Sequence, residues 1–206
     1  MAYILGYVYA DGSIFINKHG GWYLDLTSTD LELVRKIRLL LGSNHKIGKY
    51  KPKGANCKIR YKLQIGSKEL IADLNKLGIT KRKGLTIRLP EIPEQFFKHF
   101  IRGYFDGDGS VNLGKYWRKD RNTWFWQFSS SFISGSKNFL SDIHHKLHKY
   151  IKGGFSYTKN RGYELVFSRR DSIALFNFMY DNVPTSMFLE RKYARFKEAF
   201  KILNYT

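Results

Sequence analysis

The stretch YILGYVYADGS at residues 3–13 recurs 97 residues later as FIRGYFDGDGS at residues 100–110, with Gly, Asp and Gly in register. Each copy is typical of an apolar helix with one glycine at its centre, Gly6 or Gly103. A glycine inside a helix costs about 1 kcal/mol relative to alanine, and close approach of a second helix is the usual compensation. We therefore predict that the two helices pack together through Gly6 and Gly103.

Each helix also ends in an aspartate, Asp11 or Asp108, directly before a glycine suited to end a helix. The helix macrodipole disfavours negative charge at that end, and two such carboxylates in a helix pair repel unless a divalent cation lies between them. A solvated Asp-Gly turn explains a single copy, but two copies in register favour a shared metal site. An EF-hand loop starting at Asp106 is excluded, because Val111 and Trp117 stand where it needs Gly and Glu.

The charge balance indicates the partner. The chain has 36 Lys and Arg against 17 Asp and Glu, a net charge of +19, and the excess is +9 for residues 1–97 and +10 for residues 98–206. Both halves are therefore expected to face one polyanion, a nucleic acid. No apolar run of about 18 residues and no secretory leader is visible, and the single cysteine, Cys57, excludes an internal disulfide. We expect an intracellular protein that does not contact membranes.

Hydrophobic periodicity predicts the element order α-β-β-α-β-β-α in both halves, which is an α+β fold with two pseudo-symmetric domains, 1–92 and 93–206. An extra C-terminal helix, at residues 186–203, has no counterpart in the first half. Internal helices are predicted from Asp30 as N-cap and from Ser67 and Ser136. The predicted strands cover residues 13–17, 22–27, 45–51, 58–65, 110–116, 124–133, 153–159 and 163–168.

One strand indicates how nucleic acid is bound. Period-two alternation in residues 58–65 places polar side chains on one face, namely Lys58, Arg60, Lys62 and Gln64. A solvated face is one interpretation, but this face has no acidic residue and the preceding strand adds Lys46, Lys49, Lys51 and Lys53. An antiparallel ribbon fits the DNA major groove, so we predict that the sheet contacts DNA. The second half offers Lys115, Arg118, Lys119, Arg121, Gln127, Lys159 and Arg161.

Residues 4–12 and 101–109 resemble the motif of the LAGLIDADG homing endonucleases in their single-chain, two-motif form, as does the sequence LERKY at residues 189–193. The copies depart from the motif in two respects. In the first copy Tyr9 replaces the first aspartate of the motif, whereas the second copy keeps this aspartate as Asp106. Leu5 and Arg102 replace the small second residue of the motif. The resemblance implies two saddle-shaped four-stranded antiparallel sheets joined by the packed motif helices, covering about 20 bp of duplex DNA.

The resemblance also implies a mechanism. Asp11 and Asp108 would bind divalent ions, in nature Mg²⁺, each activating a water for attack on one phosphodiester and leaving short 3′ overhangs. Lys83 and Lys192 follow the third helix of each half, where family members place a lysine near the metal. Two motifs in one chain favour a monomer. The alternatives are an RNA maturase that binds intron RNA and an inactive DNA-binding regulator, because charge and sheet faces serve those functions equally well.

Overall fold

The computed structural model describes residues 1–54, 57–81, 83–159, 162–183 and 187–205; the side chains of Lys83 and Lys159 lie outside the described part. The chain forms two compact units, Met1–Gly107 and Asp108–Thr206. This boundary differs from the repeat boundary between residues 92 and 93, because the second motif helix packs against the first motif helix inside the first unit.

The predicted α+β fold is confirmed, with the order α-β-β-α-β-β-α present twice and a further helix after the second copy. The helices are α1 (Ala2–Asp11), α2 (Leu31–Leu40), α3 (Lys68–Lys76), α4 (Glu94–Asp108), α5 (Lys137–Leu147), α6 (Arg169–Tyr180) and α7 (Glu190–Ile202). The strands are β1 (Gly12–Ile16), β2 (Trp22–Ser28), β3 (Ile47–Tyr50), β4 (Arg60–Ile65), β5 (Gly109–Arg118), β6 (Thr123–Ser134), β7 (Phe155–Lys159) and β8 (Gly162–Phe167). In the described ranges, no helix has both the length and the apolarity that crossing a membrane requires.

Side-chain caps define where three of the helices begin. Asp30 accepts a hydrogen bond from the Leu33 amide at 3.2 Å at the start of α2. Ser67 and Ser136 do the same for α3 and α5, at 3.1 and 3.3 Å. Each cap satisfies a backbone donor that the first turn leaves without an intrahelical partner, and replacing such a cap by alanine costs about 1 kcal/mol. The local sequence therefore fixes these helix starts.

The first sheet is antiparallel with the strand order β1-β2-β4-β3. Helices α2 and α3 cover one of its faces, where Leu24, Leu26, Leu63 and Ile65 are buried. Alternation and register place a second set of side chains on the opposite face, which we call the first open face. Its members are Ser13, Phe15, Tyr23, Asp25, Thr27, Gly48, Tyr50, Arg60, Lys62 and Gln64.

The second sheet repeats this design with the order β5-β6-β8-β7. Helices α5 and α6 cover the face that buries Phe132, Leu165 and Phe167. Hairpin β5-β6 extends beyond the four-stranded part, since β8 pairs only with residues 130–134 of β6. The opposite face, the second open face, consists of Ser110, Asn112, Gly114, Tyr116, Arg118, Phe125, Gln127, Ser129, Ser131, Ile133, Phe155, Tyr157, Glu164 and Val166.

Helix α7 has no counterpart in the first half and packs on β5. Its Phe196 and Phe200 rings each meet the Phe128 ring edge-on, with centroids 6.0 Å apart. The guanidinium of Arg195 donates a hydrogen bond to the Leu113 carbonyl at 2.8 Å. These contacts hold the base of the long hairpin and place the start of α7 beside the beginning of β5.

Candidate active site

Helices α1 and α4 touch through their backbones. A Cβ atom built on Gly6 would lie 2.0 Å from the Phe100 carbonyl oxygen, and one built on Gly103 would lie 1.9 Å from the Tyr3 carbonyl oxygen. No side chain fits at either position, because real Cβ contacts are longer than 3.0 Å. The helix pair therefore depends on both glycines.

Helix α1 delivers Asp11 at its C-terminal end, next to Gly12. Gly12 follows the helix as predicted, but its backbone is extended, with φ of −74° and ψ of 145°, so the left-handed conformation of a helix-ending glycine is not used. Glycine is needed at this position because a side chain does not fit: a Cβ there would lie 2.6 Å from the Val8 carbonyl oxygen. The chain passes directly from the motif helix into β1.

The Asp11 carboxylate lies beside the end of α4. A Cβ on Gly107 would lie 2.3 Å from the Ala10 methyl carbon and 3.3 Å from Asp11 Oδ2. Asp11 is solvent-exposed, and Asp108, the last residue of α4, is half-buried. The described residues contain no group of three or more His, Cys, Asp or Glu side chains that could hold a metal ion by themselves.

A buried tyrosine near Asp11 was not identified from the sequence. Tyr7 is fully buried, and its hydroxyl lies near Asp11 and Ser28 without satisfying hydrogen-bond geometry with any described residue. Burial raises the pKa of Tyr7, and the nearby Asp11 carboxylate raises it further. The spacing of four residues between Tyr7 and Asp11 on one helix was the sequence signal that could have indicated this contact.

Arg102, the motif departure on α4, and Asp106, which keeps the motif residue, both make buried polar contacts. Arg102 is fully buried, its guanidinium lies 5.5 Å from the Tyr3 ring centroid, and it donates to His99 Nδ1 at 2.9 Å. The Tyr3 hydroxyl donates to Asp106 Oδ2 at 2.7 Å. Asp106, which keeps the first aspartate of the motif, is 2% exposed. Its side chain therefore contacts Tyr3 of α1 within the helix pair and is not accessible to solvent.

The predicted catalytic lysine Lys192 lies beside the start of β5. It is 6% exposed and lines a cavity of about 310 Å³. The other lining residues are Gly109, Ser110, Val111, Arg191 and Arg195. Gly109 and Ser110 directly follow Asp108, so the fold brings Lys192 to the end of the motif helix. The counterpart Lys83 begins the 3₁₀ turn Lys83–Leu85, and its side chain lies outside the described residues.

The first open face contains three of the predicted DNA-binding side chains, Arg60, Lys62 and Gln64. Lys58 precedes β4 and is not part of the strand. The prediction that this face has no acidic residue is wrong. Pairing of β2 with β4 brings in Asp25, whose Oδ2 lies 2.7 Å from Lys62 Nζ and accepts from Gln64 at 3.5 Å. Lys62 therefore already has a carboxylate partner within this face.

The lysines around β3 were predicted to extend the first open face, and this prediction is wrong. Lys49 pairs with Tyr61 across the ladder, so it lies on the other face, and Gly48 and Tyr50 take the open positions. The remaining three are exposed but outside the strand: Lys46, Lys51 and Lys53. The strand is shorter than predicted, and its register with β4 is a non-local property that alternation within one strand cannot fix.

The candidates of the second half are divided between different surfaces. Arg118 and Gln127 lie on the second open face. Lys115 lies on the opposite face of the hairpin, with its ammonium 5.8 Å from the Trp124 ring centroid. Lys119 and Arg121 are exposed in the turn between β5 and β6. The Lys159 side chain and residue Arg161 lie outside the described part of the chain.

Comparison with known proteins agrees with this architecture. An uncharacterized protein of Methanocaldococcus jannaschii is 22% identical over 216 residues, covering 99% of this chain and 72% of the relative. The homing endonuclease I-SmaMI bound to cleaved DNA is similar in structure at 15% identity, with a TM-score of 0.63 and coverage of 98% of this chain and 89% of that one. I-LtrWI bound to target DNA gives 15% identity, a TM-score of 0.61 and coverage of 98% and 90%.

At such low identity these structures show the fold alone. I-SmaMI has also been solved with an uncleaved DNA target in the presence of calcium ions, at 14% identity to this chain, with a TM-score of 0.61 and coverage of 98% of this chain and 91% of that one. The family model described as a LAGLIDADG-like domain matches residues 1–78 and again residues 97–178, one match for each motif copy. These two matches cover most of the chain, and the chain therefore belongs to the LAGLIDADG family.

Proposed function

We propose that the chain is a site-specific DNA endonuclease of the homing type, which makes a divalent-metal-dependent double-strand cut. The observation that supports this most is the chemistry at the two motif-helix ends. Each presents an aspartate, Asp11 or Asp108, and Lys192 lies buried where β5 leaves the second end. The target is a duplex of about 20 bp, the products have short 3′ overhangs, and the working form is a monomer.

The donor groups fit a hard divalent cation such as Mg²⁺. Mg²⁺ prefers oxygen ligands and commonly binds one or two carboxylates together with waters and substrate phosphates. Asp11 and Asp108 are accessible to solvent, whereas Asp106 is buried, so only the first two are available as ligands. A bound ion supplies an activated water and stabilises the leaving oxygen. It also offsets the unfavourable position of each carboxylate at a helix C-terminus.

Lys192 has a separate role in this proposal. Its ammonium has three donors and no acceptor, so it can hold an anionic phosphate oxygen or orient a water inside the cavity of about 310 Å³. Arg191 and Arg195 line the same cavity; Arg195 is paired with Glu198 and bonded to the Leu113 carbonyl, so Arg191 is the residue whose positive charge favours a phosphate there. Lys83 is proposed for the equivalent position in the first half, on the strength of its place in the repeat.

The test separates cleavage from binding. A plasmid library with randomised inserts is incubated with the chain in Mg²⁺ and in Ca²⁺, and the resulting DNA ends are sequenced. We expect Mg²⁺-dependent cuts at one long site. Asp11→Asn and Asp108→Asn should abolish double-strand cleavage and retain DNA affinity, because Asn keeps the side-chain size but is a far weaker cation ligand.

A matched control is Asp73→Asn, which removes one negative charge from an exposed pair with Lys76. It should cleave like the wild type. A single motif variant that cuts both strands at the wild-type rate would remove its aspartate from the catalytic role. Duplex binding without any cut would favour an inactive regulator, and binding to intron RNA alone would favour a maturase.

A further inference from the structure

The second open face contains an apolar patch at its β7 edge. Across strands β6, β8 and β7, register places Ser131, Val166 and Phe155 in one row and Ile133, Glu164 and Tyr157 in the next. Phe155, Tyr157 and Ile133 are 57%, 43% and 45% exposed. We call Ile133, Phe155, Tyr157 and Val166 the β7 patch. Contiguous exposed apolar surface of this kind marks an interaction site more often than chance exposure.

The polar groups within the patch bond to each other. The Tyr157 hydroxyl donates to Glu164 Oε2 at 2.8 Å, and Glu164 is 6% exposed. The Phe155 and Tyr157 rings lie nearly parallel, with centroids 6.0 Å apart and planes at 24°. The patch therefore presents ring and methyl surfaces outward, while its hydroxyl and carboxylate are engaged with one another.

The first open face is chemically different along β4, the counterpart of β8. There Arg60, Gln64 and the Lys62–Asp25 pair offer hydrogen-bond donors and acceptors to base edges. The exposed rings of this face, Phe15 and Tyr50, lie on β1 and β3. In the second sheet, β8 and its neighbours carry the β7 patch, which offers mainly carbon surface. The two halves of the repeat thus differ in the kind of surface they can recognise, although their strand orders are the same.

The charge of the second unit favours DNA as the occupant of the patch. Residues 108–206 contain 17 basic and 8 acidic side chains, and the exposed cations Lys119 and Arg121 lie in the β5-β6 turn, about 30 Å along β6 from the patch and within the reach of one duplex. A polyanion can satisfy these cations with phosphates while its groove floor meets the apolar surface. In the DNA major groove the apolar group on a base edge is the thymine C5 methyl.

We propose that the second half of the chain recognises thymine methyl groups through the β7 patch, so that this half of the DNA site is rich in A·T pairs. The inference rests on the proposed DNA binding and adds the base chemistry of one half-site. It predicts that affinity depends on the methyl groups themselves. Each buried methyl contributes about a fourfold change in the dissociation constant.

The experiment uses the full chain and duplex DNA. Duplexes that bind are selected from a random library in Ca²⁺, and in the selected sites thymine is replaced by deoxyuracil in one half or the other. Deoxyuracil lacks only the methyl group, so hydrogen bonding is unchanged. We expect thymine enrichment in one half, and three exchanges there should weaken binding by about 60-fold, whereas exchange in the other half should have a small effect.

Variants of Phe155 connect the effect to the patch. Phe155→Thr removes the exposed ring but suits a strand, and it should bind both forms of the site with nearly equal affinity. Phe155→Leu keeps an apolar side chain and should keep most of the sensitivity to deoxyuracil. Arg60→Ala, in the other sheet, should bind more weakly overall and keep the full sensitivity.

The outcomes separate the two proposals. If no duplex is recovered, the proposed function fails and the inference fails with it. If duplexes are recovered but deoxyuracil has no effect, or if Phe155→Thr keeps the full effect, only the inference is overturned. Self-association of the chain that Phe155→Thr abolishes would also overturn it, because the patch would then bind a second copy.

Discussion

Replacement of Gly103 by alanine tests whether backbone contact holds the two motif helices together. The new Cβ would lie 1.9 Å from the Tyr3 carbonyl oxygen, and ordinary contact begins at 3.4 Å, so the helices must separate by 1.5 Å. Because the partner is backbone and cannot rotate away, we take the upper end of the cost of overpacking, about 3 kcal/mol. Alanine returns about 1 kcal/mol through its helix propensity.

The net loss in the free energy of unfolding is therefore about 2 kcal/mol, which lowers Tm by roughly 4–8 °C for a protein of this size. Gly84→Ala is the matched control, since a Cβ there meets nothing within 4 Å. It should change stability by less than about 1 kcal/mol. Thermal unfolding followed by circular dichroism measures both.

Gly6→Ala should have a similar effect, because its Cβ would lie 2.0 Å from the Phe100 carbonyl oxygen. The double variant should lose less than the sum of the two, since one separation of the helices relieves both clashes. Equal Tm values for Gly103→Ala and Gly84→Ala would refute the reasoning. Such a result would mean that α4 can move away from α1 at little cost, and that the close backbone contact does not require glycine at position 103.

Three further predictions follow from single side chains. Tyr7→Phe should leave Tm unchanged or raise it, because it removes a buried hydroxyl that satisfies hydrogen-bond geometry with none of the described residues; a marked loss would mean that the hydroxyl is bonded to the nearby Asp11 or Ser28. Burial and the neighbouring Arg102 lower the pKa of His99 below its unfolded value of about 6.5. The free energy of unfolding should therefore decrease as the pH falls below that value, because the unfolded chain then binds a proton more readily than the folded one. Urea unfolding at about pH 7.5 and pH 5.5 should show a smaller decrease for His99→Gln than for the wild type. Arg60→Ala should lower DNA affinity and the salt slope of binding more than Lys62→Ala does, because Lys62 already has a carboxylate partner; equal slopes would contradict this.

The helices and strands could be predicted well from the sequence, because their signals are local. Asp30, Ser67 and Ser136 cap the helices that were predicted to start there. The alternation of residues 60–65 correctly places the buried Leu63 and Ile65 on the face opposite Lys62 and Gln64. The helix that carries the second motif begins at Glu94, directly after Pro93. Each of these signals acts within a few residues of the chain, where propensity and capping dominate.

The chemistry of the open faces could not be predicted in the same way. Asp25 joins Lys62 only because β2 pairs with β4, 37 residues further along the chain. Lys49 turns away from the open face because of its register against Tyr61. A shift of one residue in either ladder would exchange the faces, and no pattern within a single strand determines it.

The sequence by itself determined the repeat, the glycines inside the motif helices, the aspartates at their ends and the net positive charge. These are properties of residue identity and short-range spacing, which one chain displays without any partner element. Only the tertiary structure decided that Asp106 is buried while Asp11 is exposed, that Lys192 lies beside Gly109 and Ser110, and that the side chains of the β7 patch meet on the second open face. These facts depend on contacts between residues far apart in the chain, and such contacts are fixed by packing and strand register rather than by local preference.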